Sequence, residues 1–569
     1  MRNHRQAVTT IPSDRHPGVR IDVQALTRTV RTKDRRELKL LDAASFSVAP
    51  GELVAIVGGS GAGKTTLLEA MAGVTPASPG CVCFDGADLY ANLRAFRTVL
   101  GYVPQDDIIH VDLPLEHTLR YAAWLRLPPS ATAKDVDAAV RDAMDAVDLT
   151  SHADTRVGSL SGGQRKRASI AVELLTSPHV FFLDEPTSGL DPVTSAEVVA
   201  RLRYLADRSA TVVFTTHSVE DLASCDRIVF MAQGGRVGFV GSLDAARERF
   251  HVDSITELYE RLANLEPPAV TGSAVVFSES GGADAGVTRR PSPGALRQWA
   301  VLTRRTLETF VRNRLTLAIL VGSPALVVGM FAVLFRPGAF EFQDPSPSSM
   351  VMIGFWVVFA AFFFGLTYGL LQICTEQTIL RREHLVGLRL GAYVASKVTV
   401  LVPFLALVVV AMLGVLRVLD RLPVRPFSTY LSIGFTLLLC ALAALGLGLL
   451  ASAAVGNVAQ ATLALPMLCF PAVLFSGAIL PVHLMAGAGA VISLAIPSRW
   501  AFEAVGHDLG ARRILADGGS PLGPPLLASY GDAGTDSTGI YWLILIVFAV
   551  VFLIATWMVL VRSTRRPLR

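Results

Sequence analysis

The sequence predicts two domains of different fold class: an α/β domain in the first half and an all-α domain of six membrane-spanning helices in the second. Hydrophobic residues make up 51% of the 569 residues and charged residues only 17%, whereas a soluble globular chain usually carries about 25% charged residues. Near residue 300, alternating strand-like and helical patterns give way to long apolar stretches. The formal net charge of +4 does not indicate a broad nucleic-acid-binding surface, so we expect no nucleic-acid partner.

The first half alternates short apolar runs with helical patterns, which is typical of an α/β fold with a largely parallel sheet. We place this domain at 21–267, after an N-terminal tail at 1–20 that has basic residues but no apolar run. The tail does not resemble a signal peptide, so the first half should stay in the cytoplasm. Small residues, Gly and Pro dominate 268–295, which indicates a linker.

The second half begins with an amphipathic, arginine-containing stretch at 296–313, which should form a helix at the membrane surface. The membrane domain should follow at 314–569. It contains six apolar stretches, each as long as the roughly 20 residues that a helix needs to cross a bilayer. Prolines within the third and fifth stretches should kink these helices without breaking them. The predicted helices lie near 315–335, 349–374, 394–416, 429–453, 459–479 and 540–561.

Basic residues predict the orientation of these helices. Arginines before the first stretch, between the second and third, and after the sixth place both termini in the cytoplasm. The segment 480–539 is then an extracytoplasmic loop. One conflict remains, because Arg417, Arg421 and Arg425 fall on the outer side between the third and fourth stretches.

Residues 58–65 read GGSGAGKT and match the phosphate-binding pattern GxxxxGK[ST], between an apolar strand-like run and a helical stretch. Glycines let backbone N–H groups turn toward phosphates, and the following helix N-terminus adds the positive end of a dipole. Lys64 should reach the β- and γ-phosphates of ATP, and Thr65 should hold Mg²⁺. The first domain is therefore predicted to be a P-loop NTPase. The ATP-binding residues expected here are Gly58, Gly59, Ser60, Gly61, Ala62, Gly63, Lys64, Thr65 and Thr66.

Two further runs point to the same chemistry. The apolar run VFFLDE ends in Asp184, which suits Mg²⁺ coordination, and Glu185, which is suited to orient or deprotonate an attacking water. The run LSGGQ at 160–164 places Ser161 and two glycines before a helix, where their backbone could face a phosphate. Ser161 also suits a helix N-cap, and the two roles are compatible.

With these motifs together, the sequence resembles the ABC ATPase family. The resemblance implies that Gln105 in YVPQDD is the Q-loop glutamine, which senses Mg²⁺ and the membrane domain. It also implies that Asp191 in SGLD belongs to the D-loop and that His217 in FTTHS is the switch histidine, which contacts the γ-phosphate. Catalytic roles then fall to Glu185, His217 and Lys64, and Mg²⁺ ligands are expected at Thr65, Gln105 and Asp184. In this family the signature of one subunit completes the ATP site of the other, so Ser161, Gly162 and Gly163 should act in trans. Gln164 of the same run is also a candidate ATP-binding residue.

Arg28 departs from the family pattern, in which an aromatic residue upstream of the P-loop commonly stacks on adenine. By register, Arg28 occupies that position in ALTRTV. A guanidinium plane can stack on a base, which makes Arg28 a candidate ATP-binding residue. The alternative is a solvated arginine that holds the base weakly.

The order of an ATPase half followed by a membrane half resembles the G subfamily, the white-type half transporters. Supporting stretches are YVPQDDIIHVDLPLEHTLRYAAWLRLP, DEPTSGLDPVTS and RREHLVGLRLGAYVASK. The resemblance implies a type-2 exporter fold, in which 296–313 is the connecting helix and the loop between the second and third spans docks on the ATPase domain. Charges near this junction are candidates for the coupling network, although the arginines could equally serve as positive-inside anchors. The coupling candidates are Arg305, Glu376, Arg382 and Glu383.

These observations predict an ATP-driven half transporter that works by alternating access as a dimer. A homodimer is expected, because the motifs for a complete site are all present, and a heterodimer stays open. The expected location is a bacterial cytoplasmic membrane, in contact with its lipids. The second apolar stretch is rich in Phe, which suits export of a lipid-like or amphipathic cargo, although these rings could instead face lipid or pack between helices. The alternatives are an importer and a membrane-bound signalling ATPase without transport.

Overall fold

The computed structural model describes residues 18–31, 37–77, 79–96, 99–106, 109–252, 257, 293–531, 534 and 536–564. Most of the predicted N-terminal tail and of the predicted linker therefore lies outside the described residues. The chain divides into two compact units. The first comprises Met1–Gly294 with Leu385–Gly387 and Pro567–Arg569, and the second comprises Ala295–His384 and Leu388–Arg566.

The first unit contains two β-sheets. A six-stranded sheet has the order β10-β9-β3-β8-β7-β6, in which all neighbours run parallel except β9 and β10. A four-stranded antiparallel sheet has the order β2-β1-β4-β5. The strands are β1 (Ile21–Arg31), β2 (Glu37–Val48), β3 (Leu53–Gly58), β4 (Cys81–Phe84), β5 (Ala87–Asp88), β6 (Leu100–Val103), β7 (Val180–Leu183), β8 (Thr211–Thr215), β9 (Arg227–Ala232) and β10 (Arg236–Gly241).

The larger sheet is buried on both faces. Alternate residues of β3 point to opposite faces of a sheet, and here Leu53, Ala55 and Val57 enter one hydrophobic core while Val54 and Ile56 enter another. Such a doubly covered parallel sheet explains the continuous apolar run LVAIV and confirms the predicted α/β class. The helices of this unit are α1 (Lys64–Met71), α2 (Leu93–Phe96), α3 (Leu115–Arg126), α4 (Ala133–Ala146), α5 (Gly162–Leu174), α6 (Pro192–Asp207) and α7 (Leu243–Phe250).

The second unit is helical throughout its described elements. By length and hydropathy, α10, α12, α13 and α19 could each cross a membrane, and α14 is a shorter apolar helix. The prediction of six spans is untested by this measure and stays a prediction. The helices are α8 (Ala295–Arg312), α9 (Arg314–Leu334), α10 (Pro347–Leu370), α11 (Gln377–Leu385), α12 (Leu390–Val418), α13 (Phe427–Ala454), α14 (Val458–Leu474), α15 (Gly487–Leu494), α16 (Pro497–Asp508), α17 (Ala511–Asp517), α18 (Gly523–Ala528) and α19 (Thr538–Thr564).

Two details of the helical unit differ from the sequence expectation. Helix α14 ends at Leu474 rather than near 479, because the chain turns through Gly477 at φ 80°. The segment 480–539, predicted as a loop, contains the four short helices α15 to α18 in its described part. Short helices punctuated by Gly and Pro have no long apolar period, so the sequence pattern did not reveal them. Helix α12 continues through Pro403 and α14 through two prolines, so these prolines do not break their helices, and the predicted kinks stay a prediction.

The segments that connect the long helices contact one another in two groups. In one group, Gly338 donates its N–H to Asp420 O at 3.1 Å and Arg425 Nη2 donates to Leu509 O at 3.0 Å. In the other, Arg389 N donates to Gln298 Oε1 at 2.8 Å. The first connection between the long helices therefore contacts the third, and the third contacts the segment between α14 and α19. Arg425, one of the arginines that conflicted with the charge rule, is used here to bind a carbonyl.

Candidate functional site

The P-loop follows β3 and opens α1. Gly63 has φ 96°, and a Cβ at this position would lie 2.5 Å from Leu40 O, so only glycine fits the turn. Lys64 Nζ donates to the carbonyl oxygens of Gly58 at 3.0 Å and Gly59 at 3.2 Å. The ammonium therefore lies against the loop itself, where it can exchange these carbonyls for phosphate oxygens. The contact of Lys64 with the β- and γ-phosphates stays a prediction.

Two carboxylates lie where β7 ends, next to the P-loop. Asp184 Oδ1 accepts hydrogen bonds from Thr65 Oγ1 at 3.0 Å and from Thr215 Oγ1 at 2.7 Å. The Thr215 oxygen in turn accepts the backbone N–H of Glu185 at 2.8 Å. Because β3, β7 and β8 are parallel, their carboxyl ends meet at one edge of the sheet. That edge brings together residues more than 100 positions apart.

The environment of Asp184 suits a bound cation. Burial raises the pKa of its carboxyl, while hydrogen bonds from Thr215 and Thr65 and the charge of Lys166 lower it. The side chain is 3% exposed, and a carboxylate so buried is stabilised by positive charge. The hydroxyl of Thr65 and the carboxylate of Asp184 are oxygen ligands of the kind that Mg²⁺ prefers. These residues therefore fit the predicted Mg²⁺ site.

Gln105 and His217 both approach Glu185. Gln105 Nε2 donates to Glu185 Oε2 at 3.1 Å, which leaves the amide oxygen of Gln105 outside that bond. His217 Nδ1 lies 3.8 Å from the same carboxylate oxygen. The Glu185 side chain is 20% exposed and that of His217 is 61% exposed, so water can reach both. The structure thus assembles the P-loop, both carboxylates, Gln105 and His217 in one site.

The signature segment forms a separate cluster with the D-loop. Ser161 caps α5 in a capping box, in which its Oγ accepts Gln164 N and Gln164 Oε1 accepts Ser161 N. A Cβ at Gly163 would lie 2.1 Å from Thr194 Cγ2, so this glycine allows α5 to approach the start of α6. Asp191 caps α6 by accepting the N–H groups of Val193 and Thr194. The N-cap interpretation of Ser161 is confirmed, and the nucleotide-binding roles of Ser161 and Asp191 stay predictions.

Arg28 is paired with a carboxylate of the first unit. Its Nη1 lies 3.6 Å from Glu69 Oε2, and its side chain is 16% exposed. The alternative of a solvated arginine is wrong, because the guanidinium is held against a carboxylate of α1. The adenine-stacking role stays a prediction, because a contact at one guanidinium nitrogen does not occupy the flat face that would stack on a base.

Three of the four coupling candidates of the second unit take part in two ion pairs that are largely withdrawn from water. Arg305, 4% exposed, makes a bidentate pair with Glu383. Glu376 accepts hydrogen bonds from Lys397 Nζ at 2.8 Å and from Tyr393 Oη at 2.9 Å. These contacts join α8 to α11, and the turn before α11 to the start of α12. Arg382 is likewise buried at 5% exposure.

Sequence reasoning missed three polar residues of the first unit. Thr215 links the carboxylate of Asp184 to the backbone N–H of Glu185, as described above. Asp221, 4% exposed, accepts hydrogen bonds from Thr187 Oγ1 at 2.8 Å and Thr216 Oγ1 at 2.7 Å, and so ties the turn after β7 to the turn before His217. Lys166 is buried on α5. The sequence held one signal for such residues, which is a hydroxyl or charged side chain at an otherwise apolar strand end or helix face.

Comparisons with known proteins agree with this geometry. Residues 41–188 match the family described as ABC transporter, and residues 297–507 match the family described as ABC-2 type transporter. The ABC transporter ATP-binding/permease protein Rv1747 of Mycobacterium tuberculosis is 35% identical over 396 residues, which cover 67% of this chain and 44% of that protein. ABC transporter G family member 45 of Oryza sativa is 38% identical over 217 residues, which cover 37% of this chain and 16% of that protein.

A solved ATP-binding subunit of an ABC transporter is 25% identical, with a TM-score of 0.37, and covers 42% of this chain and 98% of that one. The chain spans less than half the length of the two curated relatives described above. The two domain matches nevertheless occur in the predicted order, and they cover the P-loop, both carboxylates and residues 297–507 of the helical unit. The chain therefore belongs to the ABC transporters, with an ATP-binding domain followed by an ABC-2 type membrane domain.

Proposed function

We propose that this chain is an ATP-driven half transporter that pairs with a second copy and exports a lipid-like or amphipathic compound across a bacterial cytoplasmic membrane. The observation that carries the proposal is the position of Glu185. Its carboxylate accepts a hydrogen bond from Gln105 beside the P-loop, in a chain whose other half carries long apolar helices. Because a candidate catalytic carboxylate and membrane helices occur on one chain, we infer that ATP hydrolysis drives movement of these helices.

The roles of the site residues follow from their contacts. Lys64 would exchange the P-loop carbonyls for phosphate oxygens, and the N-terminus of α1 adds further positive potential there. Glu185 would orient or deprotonate the attacking water, with His217 next to it to contact the γ-phosphate. Mg²⁺, when bound by Thr65, Asp184 and Gln105, would supply positive charge to the phosphates.

A second copy is proposed because of the signature segment. Ser161 and Gly162 are exposed at the N-terminus of α5, and a helix N-terminus favours an anion. Pairing would place this end against the nucleotide of the partner. The signature would then contact the γ-phosphate only in the closed dimer, so ATP would bind the closed dimer more tightly than the open one. Such a difference in affinity is what allows a ligand to shift an equilibrium between two states.

The surface and interior of the helical domain support contact with lipid and an apolar cargo. Helix α19 exposes a row of apolar side chains, including Leu543 and Val547, which suits contact with membrane lipids. Of the phenylalanines in α10, Phe355, Phe362 and Phe364 are buried in helix packing. Phe359 and Phe363 remain half-buried, with ring centroids 6.2 Å apart, so the available aromatic surface is smaller than the sequence indicated.

The function is tested by flux in proteoliposomes whose ATP-binding domains face outward. With external Mg-ATP, a fluorescent phospholipid or amphipathic dye should accumulate in the inner leaflet or lumen, and the Lys64→Ala variant should show no ATP-dependent flux. The Lys39→Ala variant, which removes an exposed lysine paired with Asp42, should transport like the wild type.

Three outcomes would contradict the proposal. Unchanged flux in the Lys64→Ala variant would remove ATP as the driving force. ATP-dependent loss of cargo from the lumen would indicate an importer. ATP hydrolysis without flux of any cargo, across a broad panel of lipids and dyes, would favour the signalling ATPase.

A further prediction concerns Thr215, whose hydroxyl lowers the pKa of the buried Asp184 carboxyl. In the Thr215→Val variant this hydrogen bond is lost, so the pKa of Asp184 rises further and the protonated form persists to higher pH. We expect kcat/KM for ATP to fall by about tenfold or more at the acid end, since a hydrogen bond to a charged group contributes about 1.5–3 kcal/mol. The measurement is the pH profile of kcat/KM, in which the acid limb should move to higher pH and activity should recover partly as pH increases.

The matched control for Thr215 is Thr211, a fully buried threonine on the same strand whose hydroxyl donates to Val19 O at 2.8 Å. The Thr211→Val variant loses a hydrogen bond of similar burial but leaves Asp184 unchanged. Its acid limb should stay in place even if its stability falls. An equal shift of the limb in both variants would refute the role given to Thr215.

A further inference from the structure

Lys166 is a buried lysine on the signature helix α5, and above it enters only through the effect of its charge on Asp184. It is 5% exposed. Its Nζ donates to Gln105 O at 2.6 Å and approaches Pro104 O at 3.4 Å. Burying an ammonium is costly unless it is hydrogen-bonded, so these carbonyls offset part of that cost. The position of the charge therefore depends on the turn that carries Gln105.

Gln105 is held from two directions. Its backbone carbonyl accepts the Lys166 ammonium, and its side chain donates to Glu185 Oε2 at 3.1 Å. The turn begins where β6 ends, and β6 pairs with β7. Any displacement of α5 therefore acts on the same residue that contacts the catalytic carboxylate.

A second connection joins the same two segments farther along the chain. The stretch after the Q-loop pairs with the stretch before the signature, through Val157 N to Leu113 O at 3.0 Å and Gly158 N to Val111 O at 2.9 Å. Backbone hydrogen bonds thus fix the distal side of the Q-loop to the signature segment. Lys166 fixes the proximal side, at Gln105 itself.

We propose that Lys166 is a positioning residue that acts through Gln105: it binds the Q-loop backbone to the signature helix and so keeps the Gln105 side chain directed at Glu185. This inference rests on the proposed ATPase function. The signature is proposed to contact the nucleotide that the second copy binds. Through the Lys166 contact, the position of Gln105 would therefore depend on whether the second copy has bound nucleotide.

The test is a double-mutant cycle on ATP hydrolysis by the full chain in lipid. The single variants Lys166→Met and Gln105→Ala should each lower kcat by about tenfold, a size typical of coupled neighbours. The double variant should hydrolyse ATP no more slowly than Gln105→Ala alone, because the lysine has nothing left to position. A double variant whose kcat falls by the product of the two single effects would overturn the proposal.

The matched control is Arg167, the next residue on α5, which is also largely buried but donates to Val147 O at 3.3 Å and Asp148 O at 3.4 Å, away from the Q-loop. The effect of Arg167→Met should multiply with that of Gln105→Ala, as expected of independent sites. If Lys166→Met does not fold, as judged by its thermal midpoint and nucleotide binding, Lys166→Arg replaces it in the cycle. Absence of ATP hydrolysis in the wild type would instead refute the proposed function.

Discussion

In the Glu185→Gln variant, ATP hydrolysis should fall by about 10²- to 10⁴-fold, the usual contribution of a general base, while ATP binding is retained. The amide oxygen of the substituted side chain can still accept the hydrogen bond that Gln105 Nε2 donates at 3.1 Å, so the geometry of the site is preserved. The P-loop and Lys64 are untouched. Only proton transfer is lost, and a closed, ATP-bound dimer should accumulate. Turnover and nucleotide affinity are measured on the same preparation, and the dimer by cross-linking.

The control is Glu52, whose side chain is 18% exposed, close to the 20% of Glu185. Glu52 pairs with Arg227 at 2.8 Å, away from the nucleotide site. The Glu52→Gln variant should keep kcat within about twofold. Weakening this partly exposed ion pair should change the stability of the domain little, and the pair does not contact the nucleotide site. Wild-type turnover in Glu185→Gln would refute its role, and loss of ATP binding together with turnover would point to a damaged site.

The sequence predicted the parts of the fold that depend on local pattern. The run LVAIV indicated a buried parallel strand because both of its faces are apolar, and β3 is that strand. The four-stranded antiparallel sheet was not predicted, because β1 pairs with β4 about 60 residues away and its strands are half polar. The short helices between 480 and 539 were missed for a different reason, because they are too short to show a helical period of apolar residues.

The candidate site shows a similar division. Lys64 and Glu185 could be identified because their motifs have fixed spacing and fixed neighbours. Thr215 and Lys166 could not, because each acts on a group brought close only by the packing of parallel strands and of α5. Arg28 was placed by register alone, and register does not reveal that Glu69 lies 3.6 Å from its guanidinium.

In the Glu383→Gln variant, transport per ATP hydrolysed should fall markedly and the thermal midpoint should drop. Arg305 is 4% exposed and pairs with Glu383 through both nitrogens of its guanidinium. Removing the negative partner leaves a buried positive charge, a change that costs about 3–5 kcal/mol. Helix α11 would then be held less firmly to α8, so ATP hydrolysis should continue with less movement of the membrane helices. Flux and hydrolysis are measured together in proteoliposomes.

A surface pair on the same helix provides the control. Arg312 pairs with Glu308 at 2.7 Å and its side chain is 44% exposed. The Arg312→Met variant removes an arginine close to Arg305, but it should change the flux-to-hydrolysis ratio little, because an exposed pair contributes about 0–1 kcal/mol. Reversal of the buried pair, with Arg305→Glu and Glu383→Arg combined, should restore part of the ratio.

The ion pair of Arg305 and Glu383 could orient the membrane domain or transmit movement, and these two explanations make opposite predictions about Glu383. If Arg305 serves only to keep its side of the membrane domain in the cytoplasm, then Arg305→Met should matter and Glu383→Gln should not, because orientation depends on Lys and Arg and hardly on Glu. If the pair transmits movement, both single variants should lower the ratio of flux to hydrolysis to a similar degree. Burial favours the second outcome, since an anchoring arginine has no need of a partner withdrawn from water. A normal ratio in Glu383→Gln, with Arg305→Met impaired, would assign the pair to orientation alone.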